Sequence, residues 1–143
     1  MDEGVNDVIL SRNSVTVLGI SCGIFEFEPD YSTAYYNRGV SKANLQDYRG
    51  AIADYTKAIE YEPDYSDAYN NRGASKHALQ DYRGAIADYT KAIELKPNDT
   101  NAYFNRGLSK LELKQTESGC LDLSKAGELG HPYAYDAIRE LCN

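Results

Sequence analysis

Tryptophan is missing from this 143-residue chain, methionine occurs once and phenylalanine three times, whereas tyrosine occurs 13 times. That bias argues against a core of large, wholly apolar rings. It implies half-buried positions, where a ring packs while its hydroxyl reaches water. Clusters of basic residues are also lacking, and the formal charge is −7. The electropositive footprint of a nucleic-acid binder is therefore missing, and an anionic membrane surface is disfavoured for the same reason. Long hydrophobic runs are scarce too. The longest, Val15–Phe25, is too short to cross a bilayer and is broken by Thr16, Gly19, Ser21 and Gly23. The start, Met1-Asp2-Glu3, lacks the positive charge of a secretory leader. With no signal or span visible, a cytoplasmic location is the expectation. Cysteines number only three, Cys22, Cys120 and Cys142, too few and too odd for a disulfide framework.

What is present is a repeat. Shifting the chain by 34 residues aligns Ser32–Tyr65 with Ser66–Asp99 at 25 of 34 positions, and Leu45–Glu60 recurs unchanged at Leu79–Glu94. A third copy starts at Thr100 and then drifts, and Glu26–Ser32 echoes Glu60–Ser66 as the tail of an upstream copy. Repetition at this period signals stacked supersecondary units. The chain accordingly divides into an N-terminal segment with a partial unit (1–31), three units (32–65, 66–99 and 100–132) and a C-terminal capping helix (133–143).

Each unit reads as two helices. The first helices cover roughly Ser32–Leu45, Ser66–Leu79 and Thr100–Leu113; the second cover roughly Tyr48–Tyr61, Tyr82–Leu95 and Thr116–Leu129. Asp47 and Asp81 stand where a carboxylate caps free amides, and Pro63 and Pro97 stop the second helices. Ala51, Ile52, Tyr55, Ala58 and Ile59 recur at helical spacing as an apolar stripe. Gly39, Gly73 and Gly107 fall inside the first helices, at about 1 kcal/mol each relative to alanine, and predict close approach of two helix backbones. No strand pattern competes with this all-α reading. For Ser14–Phe27 three alternatives stay open: a degenerate helix, a strand-like arm, or a surface that another chain completes.

These residues resemble the tetratricopeptide repeat. Its pattern of aromatic, Gly, Ala, aromatic, Ala and Pro is met by Tyr35, Gly39, Ala51, Tyr55, Ala58 and Pro63, and by Tyr69, Gly73, Ala85, Tyr89, Ala92 and Pro97. The third unit keeps Tyr103, Gly107 and Ala126 but has Gly119 for Ala, Leu123 for the aromatic and His131 before Pro132. The resemblance implies a right-handed α-solenoid of antiparallel helix pairs and a non-catalytic scaffold for protein partners. The chain departs from the usual pattern by carrying Arg38, Arg72 and Arg106 where leucine is common, and Lys42, Lys76 and Lys110 where tyrosine is common. Asp54, Asp88 and Asp122 offer these cations partners between helices; the alternative is that the charged heads sit in solvent.

The mismatches between the first two copies carry further information. Four lie in the connection between units; the other five are Thr33/Asp67, Tyr36/Asn70, Val40/Ala74, Ala43/His77 and Asn44/Ala78. Their spacing traces one stripe of the first helix, and the third unit varies there again with Asn101, Phe104, Leu108, Leu111 and Glu112. In the family this stripe lines the concave groove that holds peptides. The expected groove is therefore Thr33, Tyr36, Val40, Asn44, Asp67, Asn70, Ala74, His77, Asn101, Phe104, Leu108 and Glu112. Asn37, Asn71 and Asn105 border it as a ladder of amides, each with donor and acceptor for a peptide backbone. A similar ladder lines the repeat domain of O-linked N-acetylglucosamine transferases. Unconstrained drift of an exposed face, and asparagines bonded within the stack, are the plainer alternatives.

Relatives that clamp a chaperone's terminal carboxylate need cations where this chain has Tyr36, Asn101 and Asn105. The stripe's own formal charges, Asp67 and Glu112, lean toward a neutral, basic or apolar protein or peptide partner, and no nucleic acid, membrane or cofactor is expected. His77 and His131 lack companion metal ligands, and Cys120 lacks a histidine base, so neither a metal site nor catalysis is expected. Cys120 and Cys142 are left as two packed thiols or a disulfide. Two other functions stay open: self-assembly, as a homodimer or longer stack through exposed ends, and membership of a larger repeat protein.

Overall fold

A computed structural model describes residues 30–142, together with the backbone of three short stretches nearer the N-terminus. By contact the chain forms two units, Met1–Asp30 and Tyr31–Asn143. In the first, β1 (Ile9–Ser11), β2 (Ser14–Val17) and β3 (Ile20–Cys22) form an antiparallel meander, with Ile9 opposite Thr16 and Val15 opposite Cys22. Of the three alternatives left open for Ser14–Phe27, the strand-like arm is the one that Ser14–Val17 and Ile20–Cys22 adopt. The β-branched residues Val15, Thr16 and Val17 suit a pleated surface better than a helix, where their χ1 freedom is restricted. The upstream echo at Glu26–Pro29 lies outside the described residues.

The second unit is wholly helical: α1 (Tyr31–Asn44), α2 (Tyr48–Tyr61), α3 (Ser66–Ala78), α4 (Tyr82–Leu95), α5 (Thr100–Glu112), α6 (Thr116–Glu128) and α7 (Ala134–Leu141). The caps follow the sequence. Asp47 and Asp81 accept from the amides of Gly50 and Gly84 at 3.0 Å, and Asp99 accepts likewise from Ala102. Each such bond contributes about 1 kcal/mol to its helix. Within each pair the turn is closed by one residue in the left-handed region, Gln46, Gln80 or Lys114, with φ near +62°.

Helices pack in order, each pair as a hairpin, with α1, α3 and α5 side by side and α7 against α6. Small residues make this possible: Ala51, Ala58, Ala85, Ala92, Ala102 and Ala126 are fully buried. The glycines are explained differently from the expected backbone approach. A Cβ on Gly39 or Gly73 would first meet the ring of Tyr55 at 2.7 Å or Tyr89 at 2.8 Å. Of these three first-helix glycines, Gly107 alone faces backbone, the carbonyl oxygen of Gly119, at 2.9 Å.

Candidate functional site

Three copies of one polar cluster hold the first helices to the second. Arg72 donates twice to Asp88, Nε to Oδ2 at 2.9 Å and Nη2 to Oδ1 at 2.6 Å, and Lys76 reaches the same carboxylate at 2.8 Å. Arg38 and Lys42 bind Asp54 in this way, as Arg106 and Lys110 bind Asp122. Each guanidinium also lies over the tyrosine three residues earlier, 5.2 to 5.5 Å from the ring centre. Arg72 and Arg106 further donate to Thr56 and Thr90 of the preceding unit, at 3.1 and 3.2 Å. Those threonines in turn donate to the carbonyls of Ile52 and Ile86. The arginine and lysine heads are therefore mortar of the stack, and the Asp54 carboxyl is held below the usual carboxylate range, first by the hydrogen bond from Arg38, with Lys42 adding to it against the opposing effect of burial.

With the charges committed to the hairpin interfaces, the stripe of the first helices is left to form the exposed face. Between the first two units Val40, Ala43, Asn44, Asn71, Ala74, Ser75 and Ala78, with the rings of Tyr48 and Tyr55, line a recess of about 300 Å³. The equivalent recess between the next two units is about 110 Å³, lined by Ala74, His77, Tyr89, Asn105 and Leu108. One residue accounts for much of this contrast. His77 occupies the position of Ala43 one unit on, and its Nδ1 lies 2.8 Å from Ser109 Oγ. Ser109 donates its only proton to the Asn105 carbonyl, so His77 carries the hydrogen on Nδ1 and donates it to Ser109. The matching Ser75 faces the larger recess, because Ala43 has nothing to reach it with.

The other stripe residues are partly engaged by the scaffold. Tyr36 is half-buried, stacks on Tyr65 at 4.9 Å and receives a hydrogen bond from Asn71 Nδ2 at 2.9 Å. Burial, and then the charge of Asp67, push its phenol up. Phe104 stacks on His131 at 4.0 Å, and burial pushes that imidazole down. Asn70 Oδ1 is buried without a hydrogen-bond partner among the described residues. Thr33, Asn37, Asp67 and Asn101 are exposed. Leu108 and Glu112 join Leu111, Lys114, Thr116 and Leu141 around a third recess of about 280 Å³. The structure thus brings Val40, Asn44, Asn71 and Ala74 to one recess and His77, Ala74, Asn105 and Leu108 to another. Tyr48, Tyr55, Ser75 and Leu141 were not among the candidates. Cys120 and Cys142 are joined by a disulfide. Among the described residues no helix is long and apolar enough to cross a membrane.

Models of the tetratricopeptide repeat match residues 32–65 and 66–99, and a further one matches 88–120. No curated protein matches the chain. Among solved structures, the first repeat domain of Spaghetti bound to the HSP90 peptide SRMEEVD superposes with a TM-score of 0.76 at 22% identity, over 82% of this chain and 95% of that one. The Arabidopsis OM64 repeat domain gives 0.77 at 24% identity, over 78% and 94%. A domain of yeast Sti1 in complex with an Hsp70 peptide gives 0.69 at 27% identity, over 78% and 90%.

Proposed function

The chain belongs to the tetratricopeptide repeat family, a family of non-catalytic interaction scaffolds, and from that premise we propose that its first-helix stripe holds an extended peptide segment. The observation that carries this reading is the pair of unequal recesses at equivalent places. A cavity of about 150 Å³ suffices for a benzene-sized guest; the recess beside Ala43 is twice that, and the one narrowed by His77 is smaller. The larger recess therefore takes one bulky apolar or aromatic side chain, gripped by the Tyr48 and Tyr55 rings. Asn37, Asn71 and Asn105 serve the backbone. Asp67 and Glu112 are the formal charges of the stripe, which favours neutral to basic peptides over acidic chaperone tails.

The test is selection of displayed random peptides on the intact chain, followed by fluorescence polarisation with the selected peptides. Replacing Ala43 by His fills the larger recess as His77 fills the other; binding should weaken by about 2 kcal/mol, the loss typical of a central anchor. The triple change Asn37→Ala, Asn71→Ala and Asn105→Ala should weaken all selected peptides alike. Equal binding by wild type and both variants would sink the assignment. Amidating the peptide C-terminus should change nothing, whereas a large loss on amidation would reinstate a carboxylate clamp.

A further inference from the structure

The C-terminal helix is short and thinly seated. Eight residues, Ala134–Leu141, are too few to hold a helix alone in water. Only Ala134 is buried, and Tyr135 and Leu141 are 57% and 48% exposed. Tyr135 lies across Gly127, where a Cβ would come within 2.8 Å of its ring. The other end is tied covalently, because Cys142, the C-cap, is bonded to Cys120 on α6, 22 residues earlier in the chain.

Leu141, next to that bond, is a wall of the third recess. Its other walls all come from the α5–α6 hairpin: Leu108, Leu111 and Glu112 on α5, Lys114 in the turn and Thr116 at the start of α6. Leu141 is the one contribution from elsewhere, and the bond at the neighbouring Cys142 is the covalent tie that holds its end of α7 to α6. The recess continues the groove stripe, since Leu108, Leu111 and Glu112 belong to both.

We propose that this recess is a further subsite of the groove, that it takes an aliphatic side chain of the bound peptide, and that it is assembled only while the Cys120–Cys142 bond is closed. The proposal rests on the groove reading above. Three leucines wall the recess, and Glu112 and Lys114 at its edge carry opposite charges, so the guest is apolar and needs no charge of its own. Its volume exceeds that needed for a benzene-sized guest. Opening the bond requires a dithiol reductant. Its thiolate attacks one sulfur to give a mixed disulfide, its second thiol displaces the protein sulfur, and two electrons and two protons pass to Cys120 and Cys142 as the reductant becomes a disulfide. α7 then frays from the Cys142 end, Leu141 leaves, and the recess becomes an open ledge on α5.

The experiment uses the full chain with labelled leucine and valine methyl groups, and N-acetyl-leucine N-methylamide as the probe. In the oxidised protein the probe should shift the methyls of Leu108, Leu111 and Leu141 saturably. After dithiothreitol, or in the Cys120→Ser/Cys142→Ser variant, the apparent Kd at those methyls should rise on the order of tenfold, since affinity scales with the fraction of molecules in which the site is assembled. The response at Val40, in the recess between the first two units, should stay unchanged. Equal responses at the three leucines before and after reduction would overturn the redox assembly. A response at Val40 with none at the leucines would overturn the subsite alone. Silence at both places would overturn the groove reading with it.

Discussion

Asp88 has a side chain only 6% exposed yet takes bonds from two cations, Arg72 and Lys76. Replacing it by alanine leaves two partly buried cations without their carboxylate, and chemical unfolding should show a loss of about 3 kcal/mol. Arg72→Ala removes one cation while Lys76 still serves the carboxylate, so its loss should be smaller, about 1–2 kcal/mol. A double-mutant cycle on Arg72 and Asp88 that finds no coupling would refute the role of the cluster as mortar. The same chemistry sets the acid response of the first unit. Asp54 has its pKa lowered in the folded chain, chiefly by its bond from Arg38, so at low pH the unfolded chain binds more protons. The stability it contributes is full above the unfolded carboxyl value of about 3.9 and is lost as pH falls through the lower, folded value. Melting temperature should therefore decline below about pH 4, and Asp54→Asn should flatten that decline. The candidate partners of these cations could be read from the repeat. Part of the lining of the recesses could be read from mismatches, but Tyr48, Tyr55 and Ser75 could not. They are identical to Tyr82, Tyr89 and Ser41, and comparison of two copies marks only what differs.

Among the elements, the bounds of α2 and α4 were the most legible feature, because Asp47 and Asp81 cap their starts and Pro63 and Pro97 follow their ends. How the helices touch was less so. Glycine at the same place in each unit makes room for a ring in two cases and for a backbone in the third. The difference traces to the third unit's departures from the pattern: Leu123 is slimmer than the tyrosine it replaces and Gly119 smaller than alanine, so α5 and α6 close together until Gly107 meets the Gly119 carbonyl. Gly73→Ala can be met by a shift of the Tyr89 ring and should destabilise by about 1–3 kcal/mol. Gly107→Ala has a carbonyl oxygen at 2.9 Å in its way, and its loss should exceed that of Gly73→Ala when the two variants are melted side by side. The N-terminal meander was legible only as one of three alternatives. Its strands are three or four residues long, at or below the shortest span over which a period-two pattern is recognisable.

At the scale of the whole molecule the helical unit is a row of nearest neighbours, whose stability is approximately a sum over units and the interfaces between them. The larger plan, three pairs and a terminal helix, follows from a period visible in the sequence. The recesses do not, since their sizes depend on what two neighbouring units leave unfilled together. Arg72 and Arg106 fasten each unit to its predecessor through Thr56 and Thr90, whereas Arg38 has no such threonine among the described residues and its side chain is 59% exposed. At the far end a covalent link ties the last helix down. The stack is consequently unequal under mechanical load. Pulled by its two ends, it yields first at α1 and α2, and each hairpin that peels away strips the next arginine of its threonine. The chain pays out like a zipper with one end riveted, one unit at a time toward the disulfide.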